Sequence, residues 1–148
     1  MSELSDLYQE VILDHGRNPR NFRTMADATA SAEGLNPLCG DHYQVFLRLD
    51  GDRVADVSFQ GSGCAISKAS ASLMSQVLKG KTAADAEDLF QRFHRMVVDG
   101  DATQADGLGK LAVLKGVADF PTRVKCASLA WHALHAALHG EQKPATTE

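Results

Sequence analysis

Two stretches of alternation meet at an Asp-Gly pair, and this constrains the fold more than any other feature of the chain. Tyr43, Val45, Leu47 and Leu49 alternate with Gln44, Arg48 and Asp50, and Ala55, Val57 and Phe59 alternate with Asp56, Ser58 and Gln60. A period of two gathers the apolar side chains on one face of a strand. Asp50-Gly51 between the stretches is a strong signal for a two-residue hairpin turn. Two antiparallel strands are therefore expected, each with one face to bury. Residues 27–34 read as a weak first strand at the sheet edge.

At Cys64 the period changes. Ile66, Ala69, Leu73, Val77 and Leu78 fall on one helical face, and Gly80 closes the segment. A first helix is expected from Leu4, Leu7, Tyr8, Val11 and Ile12, with Ser2 as N-cap and Gly16 as stop. Thr82 caps a helix over 83–98, with Asp85 as a capping-box relative and Leu89, Phe93, Met96 and Val97 as its buried stripe. Residues 99–107 read as an acidic loop and 108–115 as a short helix. Pro121 fits the first position of a last helix, whose apolar side carries Val124, Ala127, Trp131, Leu134 and Leu138. The expected class is α+β, a small antiparallel sheet of about three strands packed against a cluster of helices. Residues 1–140 form one domain in this reading, and 141–148 a disordered tail.

A chain of 148 residues with 44% hydrophobic residues can bury an ordinary core. Its fold should then not depend on a metal as a zinc finger's does. A net charge of −4, with no basic stripe, argues against nucleic-acid binding. The start is acidic and lacks the pattern of a signal peptide, and the longest apolar run, Leu111 to Leu114, is far too short to span a membrane. Three cysteines are too few for a secreted disulfide scaffold, so a reducing cytoplasm is expected.

Each cysteine sits where the backbone changes state. Cys39 precedes a strand in Asn36-Pro37-Leu38-Cys39-Gly40-Asp41, Cys64 opens a helix after Gly61-Ser62-Gly63, and Cys126 lies near the start of the last helix. A helix N-terminus favours a thiolate. Asp41 supplies a fourth possible ligand, and three sulfurs with one carboxylate could close a tetrahedral site. Cys39 and Asp41 flank Gly40 at period two, so both can point the same way. Bringing Cys64 and Cys126 to them requires the two helix N-termini to converge. From the residues alone, a shared metal site and unrelated thiols both remain open. His132, His135 and His139 follow one another at i, i+3 and i+7; such a stripe could bind metal, but with few carboxylates beside it, it reads rather as a solvated or interfacial face. His15 reads as a helix-end residue stabilised by the dipole, His42 as pointing away from Asp41, and His94 as a surface residue.

Cys39-Gly40-Asp41, then Gly61-Ser62-Gly63-Cys64-Ala65-Ile66-Ser67, then a lone cysteine on the last helix, resembles the iron–sulfur cluster assembly scaffold family of IscU and the NifU N-terminal domain. Leu7 to His15 and Arg17-Asn18-Pro19-Arg20-Asn21 fit it too. Lys125 stands where IscU-type proteins carry a histidine before the last cysteine. Phe120-Pro121-Thr122-Arg123-Val124-Lys125 replaces their chaperone-recognition segment, and the span between Cys64 and Cys126 is longer, with the extra residues in about 82–104. These features resemble the SufU-like branch. The resemblance implies Zn2+ held by Cys39, Asp41, Cys64 and Cys126. It also implies Cys39 as acceptor of persulfide sulfur from a PLP-dependent, SufS-type cysteine desulfurase, with downstream cluster assembly proteins as further partners. Arg123 and Lys125 would offset the negative charge of such a site. The alternatives are a transient [2Fe–2S] cluster assembled on the same residues, and a structural zinc module that only docks a partner.

Overall fold

The computed structural model describes residues 3–36, 40–105, 108–140 and 145–146. Helix α1 (Glu3–Arg17) leads into strands β1 (Ala30–Asn36), β2 (Asp41–Asp50) and β3 (Arg53–Ser62), followed by α2 (Ala65–Leu78), α3 (Ala83–Val98), 3-10 segments Ala102–Ala105 and Gly109–Asp119, α4 (Pro121–Leu138) and the two-residue β4 (Ala145–Thr146). The sheet order is β3-β2-β1-β4. The first three strands are antiparallel, and β4 pairs in parallel with Gly34 and Leu35. The class is the one expected. Strand β1 begins and ends a few residues later than 27–34, and the turn residues between β2 and β3 are Gly51 and Asp52, because Asp50 pairs with Arg53. Gly51 takes φ 63°, which glycine adopts at no steric cost. The Ser2 cap lies outside the described residues.

Alternation along β2 sends Asp41, Tyr43, Val45 and Leu47 into the interior and His42 outward. The carboxylate at position 41 is thus drawn inside by the same period that buries the core. Helix α4 lies against β1 so closely that a Cβ on Gly34 would come within 3.1 Å of Leu129. The core runs from Tyr43, Val45, Leu47, Val57 and Phe59 through Leu73, Met74 and Leu78 to Phe93, Met96, Trp131 and Leu134, all fully buried. Phe93 stacks on Trp131 with ring centroids 4.6 Å apart. The buried stripe expected for α3 is the one observed.

Helix α2 differs from its expected single apolar face. It is enclosed nearly all round, and Ser67, Ser70, Ser72 and Ser75 are buried in it. Each hydroxyl has a partner, as burial demands. Ser70 donates to the Ala127 carbonyl of α4 and accepts from the Trp131 indole N–H. Ser72 accepts from the Arg20 backbone N–H at 2.8 Å and lies 2.7 Å from His15 Nδ1. Ser75 accepts from the Asn21 side chain and donates to the Ser72 carbonyl. The segment Arg17-Asn18-Pro19-Arg20-Asn21 is therefore the strap that fastens α1 to α2.

His15 lies in the last turn of α1, as expected of a helix-end residue, and is buried there at 3% exposure. Burial, reinforced by the nearby Arg20 charge, lowers its pKa below the usual imidazole value.

Candidate metal centre

Three chain segments bring Asp41, Cys64 and Cys126 together. Asp41 opens β2 and points inward beside Tyr43. Cys64 is the N-cap of α2, and its sulfur accepts from the Ser67 backbone N–H at 3.5 Å. Cys126 is buried in the second turn of α4, where its thiol lies 3.6 Å from the Thr122 carbonyl as a donor. One ligand atom from each of the three lies within 4.8 Å of the others. The convergence is thus one helix N-terminus, one strand start and one helix interior. The N-terminal parts of α2 and α4 meet as the sequence reading required, Cys64 at the cap of one and Cys126 in the second turn of the other. Neither Cys64 nor Cys126 is in a disulfide. Cys39 lies outside the described residues, in the connection from β1 to β2.

The donor set fits a metal. Asp41 is 4% exposed, and its Oδ2 has no hydrogen-bond partner among the described residues. A buried carboxylate oxygen without a partner is costly unless something else satisfies it. A cation between it and two sulfurs would do so.

The floor beneath these ligands is packed. A Cβ on Gly63 would fall 2.5 Å from Ser67 Oγ, 2.6 Å from the Tyr43 hydroxyl and 2.9 Å from Asp41 Oδ1. Ser67 donates to the Cys64 carbonyl at 2.9 Å, so the Tyr43 hydroxyl, also 2.9 Å away, is the donor to Ser67. Burial, aided by the charges of Asp41, Cys64 and Cys126, pushes the Tyr43 pKa up to about 12. Tyr43 thus stays a neutral donor under the site. Sequence reading missed Tyr43 and Ser67. Their only signals were Tyr43 two residues past Asp41 on the same strand face, and Ser67 three past an N-cap.

Arg123 and Lys125 part company here. The charge of Cys64, then a hydrogen bond that Arg123 donates to Cys126 and the charge of Cys126, raise the Arg123 pKa, as for a guanidinium beside the two sulfurs. Lys125 instead lines a groove between α3 and α4 with His94, Val124, Ser128 and His132. His94 is half-buried there against Phe90 and His132, not on an open surface. His42 faces away from the site, 3.7 Å from Glu33.

The NifU-like N-terminal domain family matches residues 7–127, most of the chain and all three site segments. The chain belongs to that family. It is 40% identical over 141 residues to the zinc-dependent sulfurtransferase SufU of Bacillus subtilis, covering 95% of each chain. It is 37% identical over 138 residues to the iron–sulfur cluster assembly scaffold protein IscU of Streptococcus pyogenes, covering 93% of this chain and 86% of the relative. Among solved structures it is similar to the SUF-system cluster assembly scaffold protein of Fervidobacterium islandicum, with TM-score 0.76 and 32% identity over 87% of this chain and 94% of that one. The chain is therefore a SufU-like member of an iron–sulfur cluster assembly family. No helix among the described residues is long and apolar enough to cross a membrane.

Proposed function

We propose that the protein is a zinc-bound sulfur carrier: it takes persulfide sulfur from a PLP-dependent, SufS-type cysteine desulfurase and stimulates that enzyme. The observation that carries this reading is the convergence of Asp41, Cys64 and Cys126 around a buried carboxylate oxygen with no partner among the described residues. Cys39, two residues before Asp41, completes a set of three sulfurs and one oxygen, the donor number and kind that zinc takes. Bound zinc would hold the cysteine sulfurs as thiolates at neutral pH.

The chain's own residues then divide the work. Cys64 and Asp41 are fixed by the α2 N-terminus and the β2 start, and Cys126 by the body of α4. Arg123 balances the negative charge of the thiolates. Cys39, with Pro37 and Gly40 beside it in sequence, is the ligand we assign to leave and react. Its thiolate attacks the terminal sulfur of the desulfurase persulfide. A new S–S bond forms on Cys39, the old one breaks, and the desulfurase cysteine departs as thiolate. Lys125 supports the carrier role over lasting cluster assembly: a protonated lysine has no lone pair to offer iron.

The test combines metal content with persulfide mapping. Cys64→Ser and Cys126→Ser should each lose the zinc held at the cysteine site. Cys39→Ser should abolish the persulfide found by mass spectrometry after incubation with desulfurase and cysteine, together with the stimulation of that enzyme. Persulfide found mainly on Cys64 or Cys126 would refute the acceptor assignment. A [2Fe–2S] spectrum that survives added zinc and passes to an apo-ferredoxin would identify a cluster scaffold instead.

A further inference from the structure

The histidines of α4 meet a carboxylate that the sequence places far away. Glu87, in the second turn of α3, sits 3.1 Å from His135 Nδ1 and 3.3 Å from His139 Nε2. We propose that Glu87, His135 and His139 form a second metal site, for a divalent transition ion such as Zn2+ or Ni2+, at the opposite end of α4 from the cysteines.

The geometry is that of a ligand set. One donor atom from each of the three residues lies within 4.8 Å of the others. Donors held at about 2.0–2.1 Å around a tetrahedral ion lie about 3.3 Å from one another, the separation the two Glu87 contacts already have. His135 and His139 are four residues apart, which puts both rings on one helix face. Phe90 stacks on the His135 ring at 4.7 Å and 21°, limiting its rotation. Gln91 donates to Glu87 Oε1 at 3.4 Å, a support of the kind that orients ligating carboxylates. The site is open on one side: the His139 side chain is 52% exposed, those of Glu87 and His135 about 31%. An ion can enter, and a fourth position is left to water.

Imidazole with carboxylate selects zinc, nickel or copper over calcium and magnesium. Nine residues of helix, about 14 Å of rise, separate His135 from Cys126, so the two sites fill independently. The bland explanation is that Glu87 only pairs with two histidines. That requires no ion and predicts no second binding event.

The experiment is equilibrium dialysis of metal-stripped protein against Zn2+, with uptake compared between variants. The wild type should take up one equivalent more than His135→Ala/His139→Ala. Cys64→Ser/Cys126→Ser should still bind zinc, and should lose it when His139→Ala is added. His139 caps the exposed end of α4, so His139→Ala alone is the variant least able to disturb folding. It should weaken the second site by at least about 100-fold, since even outer-shell partners account for 10–100-fold. Co2+ titrated into the double cysteine variant should give ligand-field bands without sulfur charge transfer. Equal zinc uptake by the wild type and the double histidine variant overturns the proposal. So does failure of the double cysteine variant to bind zinc or cobalt. Neither arm requires the cysteine site to carry sulfur, so failure here leaves that reading intact, and the reverse also holds.

Discussion

Gly63 has no room for one methyl group. Its missing Cβ lies within 3 Å of three polar atoms, Ser67 Oγ, the Tyr43 hydroxyl and Asp41 Oδ1. Gly63→Ala must push Asp41 or the Tyr43–Ser67 pair aside, at an overpacking cost of about 1–3 kcal/mol. The expected outcome is a lower melting temperature together with weaker zinc retention, read by thermal denaturation and elemental analysis on the same preparation. Full zinc content at unchanged stability would show that the floor is not packed as described. At this scale the sequence was informative about identity and silent about neighbours. Asp41, Cys64 and Cys126 were recognisable as donors, and the two strands of alternation fixed the face of Asp41. Their meeting depends on α4 lying across β1, a long-range contact that no local period encodes. Glu87 was invisible for the same reason: it lies 48 positions from His135 and on another helix.

At the scale of elements, alternation and helical period were enough to mark β2 and α3, each with one apolar face, and they also located β3 and α4, which are buried on more than one side. They under-described α2, since a count of apolar residues assigns its serines to solvent. The Asp-Gly signal located the hairpin but slipped by one residue, as the strand pairing runs through Asp50. The α1–α2 seam yields a pH prediction. The His15 pKa is lowered in the folded protein, whereas an unfolded histidine titrates near 6.5. Between the two values the unfolded chain binds more protons. Stability therefore falls as pH drops below about 6.5 and levels off once the folded pKa is passed. The Ser72 hydroxyl, which already accepts from Arg20 N–H, can donate to the neutral ring but not to a protonated one. His15→Gln keeps an acceptor without a titrating group. Its urea midpoint should change less than the wild type's between about pH 7.5 and 5.5, and an unchanged difference would rule His15 out as the source.

For the molecule as a whole, the question is how much a bound ion adds to a core that already closes. The sheet face, α2, α3 and α4 bury a continuous apolar cluster that includes none of Asp41, Cys64 or Cys126. The metal-free protein should therefore stay folded. An ion present at about 100 times its Kd adds about 2.7 kcal/mol, or roughly 5–10 °C for a domain of this size. Chelation should lower the melting temperature by that order while the transition stays single and cooperative. Loss of the folded far-UV and near-UV circular dichroism on chelation at 25 °C would instead mean that the ion organises the fold. Composition had made this much legible: the hydrophobic fraction was sufficient for a core, although it could not say which helices would enclose it.

The buried serines of α2 have a consequence for anyone redesigning this protein. Their hydroxyls engage His15 and Arg20 on one side, Trp131 and Ala127 on another, and Tyr43 near the end that carries Cys64. Hydrocarbon contacts are indifferent to small slips, whereas directional bonds to three neighbours behave like the teeth of a key in a lock and admit one rotation and one axial position of the helix. Replacing the set with alanine or valine would make the interior oilier and remove that indexing. A stabiliser working by the usual rule of filling cores with aliphatic side chains would obtain a chain that still collapses but no longer aims Cys64.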